Sequence, residues 1–112
     1  MTFEDGVVGK AVVVSVTGRV DAAGALTFEA HCREKLKAHD RTSLVLNLEG
    51  VEYLSSAGLR VVLSLGKQTK AGGGKLVLCG IQGLVREIFE IAGFLNLFPV
   101  AKNLKEAISL AM

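Results

Sequence analysis

The segment SLVLNLEGVEYLSSAGLRVVLSL, residues 43–65, decides the fold of this chain. Its first apolar run, residues 43–48, reads as a buried strand, and its last, residues 59–65, reads as part of a helix. Ser55 and Ser56 lie between the two runs, where the helix begins. Their hydroxyl groups therefore lie next to backbone N–H groups that have no partner within the helix.

The chain before this segment predicts a β-hairpin followed by a helix. Residues 3–8 and the β-branched run at residues 11–17 read as two antiparallel strands, the second ended by Gly18. Asp21 reads as a helix N-cap, because its short side chain can accept hydrogen bonds from the first helical turn. The helix then extends to about His39.

The rest of the chain continues the alternation of helices and strands. The predicted elements are a loop at residues 49–54, a helix at about 56–70, a strand at 75–79, a helix at about 82–92, a short strand at 97–100 and a helix at 103–110. Strands that alternate with helices predict right-handed crossovers and a mainly parallel sheet. Residues 1–112 therefore predict a single α/β domain whose first strand is an antiparallel edge.

The predicted second helix has two apolar sides. Its expected core face consists of Leu59, Val62, Leu63 and Gly66. Val61 and Leu65 lie one turn apart, off that face. With Arg60 beside them, they predict either a docking patch or a surface covered by neighbouring helices, and the sequence leaves both interpretations open.

Composition excludes several classes of function. The net charge is +2 and 5% of residues are aromatic, so the chain lacks the basic stripe and stacking aromatics of a nucleic-acid-binding protein. Residues 1–6 do not resemble a signal peptide, and no apolar run approaches the roughly 20 residues that span a bilayer. Cys32 and Cys79 predict two buried free thiols in a reducing compartment. We therefore expect a cytoplasmic protein without membrane insertion.

Catalytic and metal chemistry have little support. The only histidines, His31 and His39, lie in the first predicted helix, and no G-x-S-x-G elbow surrounds either serine, so a hydrolase would lack a base. No Cys/His spacing predicts a metal site, and the glycines at residues 72–74 end a helix rather than hold a nucleotide phosphate. We expect no enzyme activity, no metal and no cofactor.

The two serines support two interpretations. A hydroxyl at this position can cap the helix, which contributes on the order of 1 kcal/mol, and spacing alone favours this interpretation. The alternative is a regulated phosphoacceptor. A phosphate adds about two negative charges at a helix N-terminus, which the fold tolerates and a docked partner does not.

Three motifs resemble the STAS domain of the anti-sigma factor antagonist family, and the resemblance covers essentially the whole chain. GRVD, residues 18–21, is similar to the family's Gly-x-Leu-Asp element, and LVLNL, residues 44–48, to its Val-Val-Leu-Asp-Leu strand. YLSSAGL, residues 53–59, is similar to its Phe-Ile-Asp-Ser-Ser-Gly-Leu segment, the most specific of the three. The resemblance implies a STAS fold with a four- to five-stranded mixed, mainly parallel sheet and about four helices packed mainly on one face.

The resemblance also implies a phosphorylation switch. The unphosphorylated chain would bind an anti-sigma factor that is itself a GHKL-type serine kinase, and phosphorylation of Ser56, or as second choice Ser55, would release it. A PP2C-type phosphatase would reset the switch, and the ATP would belong to the kinase. The implied partner-binding residues are Asp21, Asn47, Ser55, Ala57, Gly58, Leu59, Arg60 and Val61.

The chain departs from the family's motifs at two positions. Ser55 and Asn47 stand where the family has aspartates, which is expected to remove negative charge beside the acceptor. These departures motivate an alternative function, a STAS scaffold or accessory subunit of a signalling or transport complex that is not phosphorylated.

Overall fold

The computed structural model describes residues 1–112 and contains one five-stranded sheet and four α-helices. The strands are β1 (Thr2–Val8), β2 (Ala11–Val20), β3 (Ser43–Leu54), β4 (Leu76–Cys79) and β5 (Val100–Ala101). The helices are α1 (Ala22–Ala38), α2 (Ser56–Ala71), α3 (Gly83–Ile91) and α4 (Leu104–Ala111), with a 3-10 turn at Phe94–Asn96. The sheet order is β1-β2-β3-β4-β5. Only β1 runs antiparallel to its neighbour, so the predicted mixed, mainly parallel sheet is confirmed.

The sheet is covered by helices on two faces of unequal extent. Helices α1, α2 and α3 pack on the front face, where the core includes Val12, Val14, Leu44, Leu46, Phe28, Val62 and Phe89. Helix α4 alone packs on the back face, against Ala11, Val13, Val45 and Val77. Successive strand residues point to opposite faces, and both faces are buried here, which explains the continuous apolar runs of β2 and β3.

Strand β3 is longer than the sequence predicted, because it contains two β-bulges. Between the pairs Ser15–Asn47 and Thr17–Gly50, β3 advances three residues while β2 advances two. A second irregularity follows one residue further on. Each extra residue changes the spacing of the buried side chains from two to three, so Leu48, Val51 and Leu54 all face the front core. The predicted loop at residues 49–54 is therefore wrong.

Two other strand boundaries differ from the prediction. Strand β2 continues past Gly18, whose φ of 105° lets the chain pass through the second irregularity without ending the strand. The last strand is Val100–Ala101 rather than residues 97–100, because Phe94–Asn96 and Leu97 form the 3-10 turn and its C-cap.

Of the two interpretations left open for Val61 and Leu65, the structure supports the covered surface and not the docking patch. Val61 is 7% exposed and Leu65 is fully buried in the front core. The buried positions of α2 are Gly58, Val61, Val62, Leu65, Gly66 and Thr69. Because α2 packs against α1 as well as the sheet, its buried face is rotated by about one residue from the predicted stripe. Leu59 and Leu63 are only partly buried at the edge of the core.

Gly58 sets how closely α2 approaches the sheet. A Cβ atom at this position would lie 2.6 Å from Cδ1 of Leu54 and 3.1 Å from Cγ1 of Val20. Both of these side chains belong to the buried front core, so moving either one away disturbs its packing. The glycine of the Ser-Ser-Ala-Gly-Leu segment is therefore a packing requirement.

Gly58→Ala is expected to destabilise the chain by about 1 to 2 kcal/mol, because overpacking outweighs the gain in helix propensity. The matched control is Gly6→Ala in β1, where an added Cβ meets nothing within 4 Å. Denaturant unfolding of both variants and the wild type measures the difference. Equal midpoints for Gly58→Ala and wild type would contradict the packing argument.

Cys32 and Cys79 are free and buried, as the sequence predicted. Burial raises the pKa of Cys32 to about 12, with a smaller contribution from the charge of Asp5. Burial also raises the pKa of Cys79 to about 11, helped by Glu49. Both thiols therefore stay protonated in the folded chain under conditions in which the unfolded chain ionises them.

The raised pKa values predict a loss of stability at alkaline pH. Their contribution is fully present below the unfolded pKa of 9.0 and is lost as the pH rises toward the folded values, because only the unfolded chain loses protons in that window. From about pH 9 to about pH 11, wild type is expected to lose more free energy of unfolding than Cys32→Ala. Parallel pH profiles for the two proteins would contradict this.

Candidate functional site

The start of α2 gives its two serines different roles. Ser55 is the N-cap: its hydroxyl accepts a hydrogen bond from the Gly58 N–H at 3.1 Å, and its own N–H donates to the Val20 carbonyl at 2.9 Å. Ser55 is therefore half-buried and held on two sides. Ser56 is the first helical residue, and its side chain is exposed and makes no hydrogen bond within the chain. Capping thus occupies one hydroxyl and leaves the other free.

Asp21 lies at the same edge of the sheet. Val20 pairs with Leu54 in the parallel ladder, so the residues that follow them, Asp21 and Ser55, leave the sheet side by side. Asp21 is the N-cap of α1, as predicted, with its carboxylate accepting from the Gly24 N–H at 2.7 Å. The carboxyl ends of β2 and β3 therefore present two neighbouring capped helix starts.

The sequence did not indicate that Arg19 and Tyr53 belong to this edge. They pair across β2 and β3, and the Arg19 guanidinium lies 4.5 Å from the centre of the Tyr53 ring. Tyr53 is 39% exposed, so this cation–π pair forms an accessible surface two residues before the two caps. Their pairing depends on the bulges in β3, which a simple alternating pattern does not reveal.

Asn47 lies away from the serines, contrary to the expectation that it sits beside the acceptor. Its side-chain amide donates to the Ser15 hydroxyl at 3.3 Å and accepts from the Glu49 N–H at 3.2 Å, on the back face of the sheet. Its pairing partner Ser15 precedes Val20 by five strand residues, a separation on the order of 15 Å. The replacement of an acid at residue 47 therefore does not alter the charge next to Ser56.

The remaining residues of the predicted site divide by burial. Gly58 and Val61 are buried, and Ala57 and Leu59 are half-buried against the front core. Arg60 is exposed and lies four residues after Ser56, on the same side of α2. The exposed part of the predicted site therefore consists of Ser56, Arg60 and Asp21, with the Arg19–Tyr53 pair beside it.

His31 is engaged away from the two serines. His31 lies 2.7 Å from the Asp5 carboxylate and stacks on the Phe3 ring with centroids 4.0 Å apart. These contacts join α1 to the edge strand β1. No cluster of three or more His, Cys, Asp and Glu side chains is placed to hold a metal ion. None of the helices combines the length and apolar character required to cross a membrane.

Because Ser55 caps α2 and Ser56 does not, substitutions of the two serines are expected to affect stability unequally. Ser55→Ala removes the cap of α2 and is expected to cost about 1 kcal/mol. Ser56→Ala removes an exposed hydroxyl without a partner and is expected to stay within about 0.5 kcal/mol of wild type. Thermal and denaturant unfolding of the two variants measures both values. The reverse order would show that the hydroxyl of Ser56 is the cap.

Comparisons with known proteins agree with this architecture. A family model described as the STAS domain matches residues 2–107. A relative from Bordetella bronchiseptica, named "Putative anti-sigma factor antagonist BtrV", is 44% identical over 100 residues, which cover 89% of this chain and 84% of the relative.

Two solved structures share the fold at lower sequence identity. An anti-sigma factor antagonist from Mycobacterium paratuberculosis has a TM-score of 0.81 at 24% identity, over 98% of this chain and 92% of that one. The Bacillus cell fate determinant SpoIIAA in its phosphorylated form has a TM-score of 0.76 at 21% identity, over 99% and 100% of the two chains. The predicted fold class is therefore confirmed.

Proposed function

The chain belongs to the STAS domain family, and from this premise we propose that it is an anti-sigma factor antagonist controlled by phosphorylation of Ser56. One observation carries the choice of residue: Ser56 is exposed with an unengaged hydroxyl, whereas Ser55 is committed to capping α2. The names of the Bordetella relative and of the Mycobacterium protein support the general role, and the phosphorylated form of SpoIIAA supports the type of control.

The helix start explains why a phosphate at Ser56 would be tolerated by the fold. The first N–H groups of α2 lie at the positive end of the helix dipole, which stabilises an added anion. Arg60, one turn further along the helix, provides a cation on the same side. The phosphate would thus change the surface without disturbing the core beneath Gly58.

The same phosphate would disfavour a docked partner. It adds about two negative charges to an exposed surface at a capped helix end. A partner seated against Ser56 would meet added bulk, repulsion from its own carboxylates and the cost of desolvating the phosphate. The unphosphorylated chain would therefore bind the anti-sigma factor, and the phosphorylated chain would release it.

The transfer itself requires chemistry that the partner supplies. The kinase transfers the γ-phosphoryl group of ATP to the Ser56 oxygen, ADP leaves, and the hydroxyl proton passes to a base on the kinase. A GHKL-type kinase that is also the anti-sigma factor, and a PP2C-type phosphatase that hydrolyses the phosphoserine, complete the proposed cycle in the cytoplasm. This chain contributes the acceptor and the docking surface.

Ser55 is a less suitable acceptor than Ser56. Phosphorylation of Ser55 would require its hydroxyl to leave the half-buried cap, so the first turn of α2 would have to open. Asp21, Ala57, Leu59 and Arg60 remain the proposed docking residues, because each is at least partly accessible around Ser56.

Substitutions at Ser56 test the switch by isothermal titration with the cognate kinase. Ser56→Ala is expected to bind in the presence of ATP and resist release, and Ser56→Asp to bind at least about tenfold more weakly, since a desolvated like charge costs more than about 1.4 kcal/mol. Ser109→Asp is the matched control, because it adds the same charge to the exposed side of α4. Equal affinities of Ser56→Ala and Ser56→Asp would reject the switch.

A non-phosphorylated scaffold is the second candidate, favoured by Ser55 in place of the family's acid directly before the acceptor. Intact-mass spectrometry after incubation with the kinase and ATP separates the two functions. One added phosphate that maps to Ser56 supports the switch. Kinase binding without any mass change supports the scaffold.

A further inference from the structure

We propose that the crevice at the carboxyl ends of β4 and β5 binds a small organic anion with an apolar body. This site is separate from the Ser56 surface and does not depend on the proposed switch. It is a cavity of about 390 Å³ lined by Ile81, Arg86, Leu95, Val100, Ala101 and Lys102. The volume lies within the range of about 300 to 1,000 Å³ that small-molecule sites occupy.

The topology of the sheet creates this crevice. After β4 the chain turns to the front face, where α3 packs, and after β5 it turns to the back face, where α4 packs. Neighbouring parallel strands that are followed by helices on opposite faces leave a gap outside their carboxyl ends. In open α/β sheets, ligands bind in crevices outside the carboxyl ends of the strands. The boundary between β4 and β5 is the place in this sheet where the helices change faces.

The lining of the crevice specifies an amphipathic anion. Arg86 from α3 and Lys102 after β5 contribute two cations, and no acidic side chain lines the cavity. The aliphatic side chains of Ile81, Leu95 and Val100 form the remaining wall. A phosphate or carboxylate head between the cations, with a short hydrocarbon body along that wall, matches both parts.

Two carboxylates near the crevice leave this arrangement intact. Glu90 lies 3.1 Å from Nε of Arg86, so the two terminal nitrogens of the guanidinium remain available to a ligand. Glu106 accepts a long hydrogen bond of 3.4 Å from the backbone N–H of Lys102, and the ammonium group of Lys102 has no carboxylate within 4.0 Å.

Nitrogen-15 NMR titration with hexyl phosphate tests the proposal. Saturable shifts are expected at the amides of Ile81, Ala101 and Lys102, with weaker binding of inorganic phosphate and none of hexanol. Arg86→Gln and Lys102→Gln are each expected to weaken hexyl phosphate binding roughly tenfold, because each removes a charged hydrogen-bond donor. Preserved amide dispersion establishes that these exposed variants remain folded.

Two control variants separate a built site from general attraction between charges. Glu90→Gln frees Arg86 without removing it and is expected to keep or tighten binding. Lys105→Gln removes one cation from α4 that does not line the crevice and is expected to have no effect. Equal weakening by Lys105→Gln and Lys102→Gln would overturn the proposal. So would unsaturable shifts, or hexanol binding as well as hexyl phosphate.

Discussion

The close approach of α2 to the sheet at Gly58 is the contact on which the rest of the site depends. Because residue 58 has no side chain, the first turn of α2 packs directly on Leu54 and Val20. Strand β3 ends at Leu54 and α2 begins at Ser56, so no connecting loop separates them. Ser55 then has one available position, capping the helix while its N–H bonds to β2. Ser56 is turned outward as a consequence. The exposed hydroxyl of Ser56 and the buried glycine at residue 58 therefore both result from the close contact between α2 and the sheet.

The bulges of β3 bring a second group of residues to that edge. They change the repeat of buried residues from two to three, so that Leu48, Val51 and Leu54 stay in the front core over a longer strand. The added length carries β3 beyond β4 and aligns Tyr53 with Arg19. The site thus lies where only two strands continue, which leaves it accessible to a large partner.

Much of this architecture was readable from the sequence because it depends on local signals. The apolar runs of β2 and β3, the cap at Asp21 and the helix start after Ser55 each follow from a few neighbouring residues, and all are confirmed. The misplaced features depend on distant neighbours. Val61 is buried because α2 packs against α1 as well as the sheet, and Asn47 lies far from Ser56 because the strand between them is extended. Neither arrangement alters the spacing of apolar residues, so the sequence pattern could not predict it.

The unequal covering of the two faces divides the molecule into regions of different stability. The back face is closed by α4, which has eight residues and buries mainly Ala107 and Ala111, and β5 contributes only two residues to the ladder. Because this part buries little apolar area, it is only weakly stabilised. A helix of eight residues is also not stable by itself. The C-terminal helix is thus a segment that opens by local unfolding at a low cost. Each opening uncovers the Val13–Val45–Val77 stripe, while the front core and the Ser56 surface stay intact.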